Sequence, residues 1–300
     1  MPSTPRAAIV RYDAGAGPAA GLRGADGAVR HLAGSVATLL RLDRRGLRER
    51  LAAPGDVVPQ ARLLPPVDGA TEVWAAGVTY ERSRDARVEE SERASTVYEQ
   101  VYDADRPELF FKAAAWRVAG DGEPIAIRAD SQVDVPEPEL AVVINSGGEI
   151  VGYTICDDVS SRSIEGENPL YLPQAKIYLG SCAVGPWIVP APDLGDPYAL
   201  AIRLAIHRGG AAAWSGETST ALLHRKLDDL AGYLYRADAF PDGAILSTGT
   251  CLVPDLPFTL AAGDVVEIEI DGIGRLANPV VRGPGGMRYL TERQQAREIR

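Results

Sequence analysis

The sequence is poor in histidine and cysteine. Its 300 residues include only three of each, scattered singly: His31, His207, His224, Cys156, Cys182 and Cys251. A zinc site needs Cys and His ligands at close spacing, so this scatter argues against one. An odd number of widely separated cysteines also gives no disulfide framework. Because each cysteine lies in an apolar or strand-like segment, we expect three buried thiols.

Long runs of one chemical character are missing as well. The chain has 31 basic and 41 acidic residues, a net charge of −10, and no run of Lys or Arg long enough to follow a phosphate backbone. We therefore expect no nucleic-acid partner. No apolar stretch approaches the roughly 20 residues that span a bilayer, and the first residues show no apolar signal region. We expect a cytoplasmic protein with no membrane partner.

What remains has the composition of an ordinary globular protein, with 46% apolar and 24% charged residues. Residues 1–65 have the pattern of a small N-terminal α/β unit, in which short strands precede a helix through LLRLDRRGLRERLAA. The Pro-containing LLPPVDG ends this unit. We therefore predict a small domain over 1–65 and a catalytic domain over 66–300.

The second part is rich in strand patterns, such as FFKAAAW, ELAVVIN, EIVGYTICDD and CAVGPWIVP. One helix is predicted where leucines recur at helical spacing over 223–234, with Thr218 or Ser219 as its N-cap. Residues 81–102 have helical propensity but little apolar face, which is typical either of a solvated surface helix or of a lid over a polar site. These patterns predict a strand-rich α+β fold.

Carboxylates are concentrated in the stretch VDVPEPELAVVIN. Glu137 and Glu139 are two residues apart, so in an extended chain both side chains leave the same face. Asp157 and Asp158 end the next apolar run, and pairing of the two runs would bring them to the glutamates. A divalent cation such as Mg²⁺ would offset the cost of burying these acids. The alternative is a charged strand edge with an aspartate paired to Arg162.

Four motifs in this order and spacing resemble the fumarylacetoacetate hydrolase family. They are PEPELAVVIN, GYTICDDVSSR, KIYLGSCAVGP, and ILSTGTCLVP followed by GDVVEIEIDGIGRLANPV. The resemblance covers roughly Trp74 to Val281. It implies the family's mixed β-roll and an assembly such as a homodimer or homotetramer.

The resemblance also implies a metal site. The family's E-x-E corresponds to Glu137 and Glu139, and the aspartate of its N-D-V-S-A-R segment corresponds to Asp158, with Asp157 in the asparagine's place. These three residues are the implied ligands of Mg²⁺, although Mn²⁺ or Ca²⁺ would accept the same oxygens.

Other family positions imply contacts with a small keto-acid substrate. They correspond to Tyr80, Arg162, Lys176 and Thr250. Cys251 stands where the family has a proline.

The chain departs from the hydrolytic members in the segment GVTYERSRDARVEES. Ser83 stands in place of their histidine and Ala86 in place of the glutamate that assists it. Attack by water needs a base that works near neutral pH, and histidine is the usual one. Dehydration of a 2-keto-3-deoxy sugar acid needs no nucleophilic water, because a metal-bound enolate can expel the C4 hydroxyl.

The segments PEPEL and EGENPLYLPQAKIY are similar to those of one branch of the family. The members of that branch dehydrate 2-keto-3-deoxy sugar acids, 2-dehydro-3-deoxy-D-arabinonate among them. We therefore expect a metal-dependent hydro-lyase of sugar-acid catabolism. Lys176 is the expected base, or alternatively a cation that holds the substrate carboxylate. Glu89, Glu90 and Arg84 are candidates for the acid that protonates the departing hydroxyl, and Ser83 and Arg84 are candidate substrate contacts.

Two other functions stay open. A lid carboxylate could replace the missing histidine in a C–C hydrolase or decarboxylase of 2,4-diketo acids. A non-catalytic relative that binds a metal or an acid is the third possibility.

Overall fold

The computed structural model of the protein describes residues 5–80 and 100–298. Its strands are β1 (Ala7–Asp13), β2 (Pro18–Gly24), β3 (Val29–Leu32), β4 (Arg62–Leu64), β5 (Glu72–Gly77), β6 (Glu108–Ala114), β7 (Ile125–Ile127), β8 (Asp134–Val135), β9 (Pro138–Ile144), β10 (Ile150–Asp158), β11 (Ser160–Ser161), β12 (Cys182–Pro190), β13 (Ala201–Arg208), β14 (Ala211–Ser219), β15 (Ala244–Ser247), β16 (Val265–Ile270) and β17 (Gly274–Arg282). Its helices are α1 (Val36–Leu40), α2 (Arg44–Ala52), α3 (Arg162–Glu167), α4 (Leu172–Lys176), α5 (Ala191–Leu194), α6 (Leu227–Leu234) and α7 (Arg288–Glu298).

Two large sheets and a two-stranded sheet, β8 paired with β11, organise the described residues. The larger has the order β3-β2-β1-β12-β10-β9-β15-β5-β6, with β4 paired to β1, and the smaller has the order β14-β13-β16-β17-β7. Most neighbours are antiparallel, but β15 runs parallel to β5 and β17 runs parallel to β7. The predicted α+β, strand-rich β-roll is confirmed.

Strand β9 is buried on both faces, which explains why its sequence is continuously apolar rather than alternating. Leu140, Val142 and Ile144 pack with residues of the smaller sheet such as Leu204. Ala141 and Val143 point to the opposite side of the strand and pack in a second hydrophobic cluster, which includes residues of α1. The three cysteines are buried, as predicted, and none of them forms a disulfide.

A tight turn joins β9 to β10 and fixes their pairing. The Asn145 side-chain oxygen accepts hydrogen bonds from the backbone N–H groups of Gly147 (3.1 Å) and Glu149 (2.8 Å). Gly148 has φ +81°, a conformation that favours glycine. This hairpin sets Cys156 opposite Glu139, and so brings the far ends of both strands together.

The N-terminal residues extend the larger sheet, since β1 pairs with β12. The division at residue 65 stays a prediction. The single helix expected over LLRLDRRGLRERLAA is wrong, because the chain forms α1 and α2 in succession. Asp43 causes the break: its side chain accepts a hydrogen bond from Gly46 N–H at 2.7 Å and starts α2 as N-cap.

The predicted leucine-rich helix also begins later than expected. Ser219 caps a short 3₁₀ turn over Thr220–Leu222 instead, and α6 starts only at Leu227. Leu223 is extended, with φ −67° and ψ 119°, and pairs with Tyr80. Across residues 5–80 and 100–298, no helix combines the length and apolar character needed to cross a membrane.

Candidate metal centre and active site

Three buried carboxylates meet where β9 begins and β10 ends. Asp158 donates its backbone N–H to the carbonyl of Glu137 at 3.0 Å, so the two residues face each other across the hairpin. Glu139, two residues along, shares their face. One carboxylate oxygen from each of Glu137, Glu139 and Asp158 lies within 4.8 Å of the other two. The sequence-based expectation that these acids converge is confirmed.

Three cations surround this cluster. Lys176, which ends α4, is fully buried and places its Nζ 2.8 Å from Glu137 Oε2 and 3.2 Å from Asp158 Oδ2. Lys112 on β6 forms an ion pair with the other oxygen of Asp158. Arg162 places Nη2 3.0 Å from Glu137 Oε1. Among the described residues the acidic partners of Arg162 are Glu137 and Glu165, so the alternative pairing of Arg162 with Asp157 or Asp158 is not found there.

Within the described part of the chain, Glu139 accepts hydrogen bonds from neutral donors and has no ion pair with a cation. The Ser247 hydroxyl and the Gly249 backbone N–H both donate to its Oε2, at 2.5 and 2.7 Å. Burial raises the pKa of the Glu139 carboxyl well above its usual value, and the nearby Asp158 and Glu137 charges raise it further. Protonation or a bound cation would relieve this cost.

Asp157 points away from the other three acids and lies fully buried. Its Oδ1 accepts the backbone N–H of Glu137 at 3.1 Å, whereas Oδ2 has no hydrogen-bond partner among the described residues. Burial raises the pKa of Asp157 to about 8, despite the opposing hydrogen bond from Glu137. Asp157 therefore supports the loop before β9 rather than joining the carboxylate cluster.

Tyr80 and Thr250 lie beside the same cluster. Tyr80 is 1% exposed, and burial raises the pKa of its hydroxyl, with smaller contributions from Cys251 and Glu139. Thr250 lines a small space next to the acids. That space measures about 10 Å³, roughly what one water molecule or ion occupies.

Other predicted site residues lie outside the part of the chain that the structure describes. They are Ser83, Arg84 and Glu90. Their places in the site stay predictions.

The structure adds three residues that sequence reasoning missed or undervalued. The position of Lys112 in FFKAAAW is typical either of a strand-end lysine or of a lysine that binds substrate hydroxyls, yet the structure pairs it with a predicted metal ligand. Ser160 is 2.5 Å from Lys176 Nζ, and Ser247 binds Glu139. The only sequence signal for Lys112 was a charge inside the apolar run FFKAAAW, where an unpaired lysine would be costly.

A much larger cleft, of about 860 Å³, lies elsewhere, between α2, β10 and α5. It shares no residue with the carboxylate site. Its lining is largely apolar, apart from a few charged residues such as Arg48 and Asp193. Size alone would favour this cleft, but the convergent acids and the buried lysine favour the smaller space as the candidate active site.

Residues 72–281 match the family described as fumarylacetoacetate (FAA) hydrolase, C-terminal. The chain belongs to the fumarylacetoacetate hydrolase family. The resemblance inferred from four sequence motifs is thereby confirmed, and the matched range contains each predicted site residue.

Close relatives within this family are dehydratases by name. A probable 2-keto-3-deoxyxylonate dehydratase of Haloferax volcanii is 49% identical over 82% of this chain and 85% of its own. A 2-dehydro-3-deoxy-D-arabinonate dehydratase of Saccharolobus solfataricus is 50% identical over 73% of this chain and 74% of its own.

A solved structure gives the same likeness in three dimensions. It is described as 2-keto-3-deoxy-D-arabinonate dehydratase complexed with magnesium and 2,5-dioxopentanoate. It is 39% identical, matches with a TM-score of 0.81, and covers 91% of this chain and 98% of its own.

Proposed function

We propose that this protein is a metal-dependent hydro-lyase that removes water from a 2-keto-3-deoxy sugar acid, with 2-dehydro-3-deoxy-D-arabinonate or a similar aldonate as substrate. The observation that supports this proposal most strongly is that Glu137, Glu139 and Asp158 converge around one point. The buried Lys176 contacts two of these three carboxylates. About half of the aligned positions are identical in relatives named as dehydratases of such acids.

The residues present suit a hard divalent cation. All three candidate ligands are carboxylates, the donor type that Mg²⁺ prefers, and no His or Cys that would select zinc joins them in the described ranges. Glu137, Glu139 and Asp158 would hold the ion, and Mn²⁺ or Ca²⁺ would fit the same donors. When bound, the ion would supply Lewis-acid polarisation of the substrate's keto group.

Lys176 is our candidate for the base that takes a proton from C3. Its amine is out of water beside Glu137 and Asp158, and a divalent ion at these carboxylates would favour the neutral amine by repulsion. The C3–H electron pair then forms the new double bond, and the C4 hydroxyl leaves with a proton as water. Lys112, paired with Asp158, would keep that ligand oriented.

The remaining assignments complete the proposal. Tyr80, Arg162 and Thr250 would contact the substrate, and Ser83 and Arg84 would do so from the segment after Tyr80. Glu90 is proposed as the acid for the departing hydroxyl. A cytoplasmic location and a homodimeric or homotetrameric assembly stay predictions from the sequence.

Hydrolysis of a 2,4-diketo acid is the weaker candidate. Hydrolysis requires a base for water, and the three histidines have other environments: His31 contacts Tyr12, His207 lies near Glu267 and His224 stacks on Tyr102. Among the described contacts, none joins a histidine to the three carboxylates.

A substrate panel tests the proposal. Purified protein with Mg²⁺ is incubated with 2-keto-3-deoxy pentonates and hexonates, and products are followed by mass. We expect loss of one water from at least one acid, and no reaction with chelator. Pyruvate or oxalate released from an acylpyruvate would establish the hydrolase instead, while Mg²⁺ binding without any turnover would favour the non-catalytic relative.

Glu139→Gln makes the test specific to the metal site. Gln keeps an oxygen for Ser247 and Gly249 but loses the charge, so we expect Mg²⁺ affinity and turnover to fall by at least about a hundredfold. Glu149→Gln is the matched control, since Glu149 lies at the opposite end of the same hairpin and pairs with Asn145. Equal Mg²⁺ affinity in Glu139→Gln and wild type, by calorimetry, would refute the assignment.

A further inference from the structure

A short connecting stretch, Leu223–Arg225, contacts two separate parts of the chain beside the site. It lies between the 3₁₀ turn at Thr220–Leu222 and helix α6. The two parts are residues 78–80, which follow β5, and residues 100–105, which precede β6. Nothing in the proposed chemistry uses this stretch directly.

The first contact is with residues 79 and 80. Leu223 pairs with Tyr80, and the backbone N–H of His224 donates to the Thr79 carbonyl at 2.9 Å. The Thr79 hydroxyl in turn donates to the Thr248 carbonyl at 2.6 Å. The next residue, Gly249, is a donor to Glu139. The stretch is thus linked through Thr79 to the loop that holds a candidate metal ligand.

The second contact is made by side chains. The Arg225 guanidinium donates to three backbone carbonyls: Val101 at 2.8 Å, Tyr102 at 3.3 Å and Asp105 at 3.2 Å. The His224 ring stacks on Tyr102, with ring centroids 4.4 Å apart. One guanidinium therefore fixes the end of a helix whose described residues are 100–103, where backbone carbonyls lack helical partners.

Val78 connects the two contacts. It lies at φ +53°, a conformation that is rare for a β-branched residue, and its side chain packs against Val101 and Tyr102. Val78 also lines the small space beside the carboxylates. Displacement of residues 100–105 would remove the packing that keeps this strained residue in place.

We propose that Arg225 and the His224 ring are positioning residues that hold Val78 and Tyr80 against the substrate side of the carboxylate site. This inference rests on the proposed function for its kinetic consequence. Neither side chain contacts a candidate metal ligand in the described residues, so the expected effect is on substrate binding rather than on metal binding.

The test compares Arg225→Ala with wild type in the presence of Mg²⁺. We expect KM for the 2-keto-3-deoxy acid to rise by about tenfold, the worth of roughly one charge-assisted hydrogen bond, with kcat changed less than about twofold. Mg²⁺ affinity should be unchanged. Amide hydrogen exchange should become faster in peptides that cover 78–80 and 100–105.

Matched variants separate positioning from general destabilisation. His224→Phe keeps an aromatic ring on Tyr102 and should retain the wild-type KM, whereas His224→Ala should raise it. Arg236→Ala is the control, since Arg236 is exposed and, among the described residues, stacks on Tyr233 alone. A wild-type KM in Arg225→Ala, or a parallel loss of Mg²⁺ affinity, would overturn the inference.

If wild type turns over no keto acid, the proposed function fails and the hydrogen-exchange data alone decide about Arg225 and His224. Unchanged exchange in Arg225→Ala rejects the positioning role, and faster exchange in residues 78–80 and 100–105 supports it.

Discussion

Lys176 has the contacts of both a base and a structural ion-pair partner. Its Nζ is within 3.2 Å of two candidate metal ligands and 2.5 Å of the Ser160 hydroxyl. The Phe110 ring, with its centroid 5.8 Å away, covers another side of the ammonium. A lysine that only held a substrate carboxylate would chiefly affect binding, so kinetics can separate the two roles.

Lys176→Met keeps the length of the side chain and removes the amine. If Lys176 is the base, kcat should fall by about 10²–10⁴, the usual contribution of general base catalysis, with a smaller change in KM. Exchange of the substrate's C3 hydrogen in D₂O should stop as well. Lys226→Met, at an exposed lysine just before α6, provides the control. A variant with normal C3 exchange but a much higher KM would assign Lys176 to substrate binding.

At the scale of elements, the apolar runs predicted the hairpin that builds the site. A two-residue spacing placed Glu137 and Glu139 on one face, and the turn at Asn145 makes Asp158 meet them. Patterns of this kind are local and therefore visible in one sequence. The family resemblance implied a site position for Lys176, and the structure places that lysine beside Glu137 and Asp158.

Other features depended on contacts between distant residues. The leucine spacing continued back to Leu223, but pairing with Tyr80 draws that residue into an extended conformation. Lys112 and Ser247 are distant from the glutamates in sequence, and only the order of strands in the larger sheet brings them together. Local propensity cannot reveal such partners.

The loop after β15 supports Glu139 because the backbone N–H of Gly249 lies close enough to donate to its carboxylate. Gly249 has φ +90°, and a Cβ there would lie 2.0 Å from the Thr79 hydroxyl. We expect Gly249→Ala to shift the N–H that binds Glu139, with a loss of unfolding free energy of about 1–3 kcal/mol and about tenfold weaker Mg²⁺ binding.

Gly263→Ala isolates the effect of backbone strain. Gly263 has φ +93°, but nothing lies within 4 Å of its added Cβ. Calorimetry and denaturant titration should therefore show a stability loss without weaker Mg²⁺ binding. The close-approach explanation is wrong if the two alanine variants bind Mg²⁺ equally well.

For the whole molecule, the buried acids link stability to pH and to metal. The pKa of Glu139 is raised by burial, and that of Asp157 is raised to about 8. Carboxyls with raised pKa values stabilise the fold while protonated, and this stability is lost as pH rises from the unfolded-state values near 4 through the folded-state values. In chelator, the unfolding free energy should therefore decline between about pH 4 and pH 8, by at most roughly 1.4 kcal/mol per pH unit for each such group.

Mg²⁺ should oppose this decline, because it binds the ionised carboxylates of the folded state and competes with protons. Its stabilisation, measured by denaturant titration, should be larger at pH 8 than at pH 5. Asp157→Asn supplies the matched comparison, because it removes a carboxyl with a raised pKa that is not a candidate metal ligand. In chelator, the unfolding free energy of this variant minus that of wild type should increase up to about pH 8 and then stay constant. An equal Mg²⁺ effect at both pH values would mean that the Glu139 carboxylate does not bind the ion. A pH-independent difference between Asp157→Asn and wild type would mean that Asp157 is ionised throughout, and that its buried Oδ2 is stabilised by some other contact.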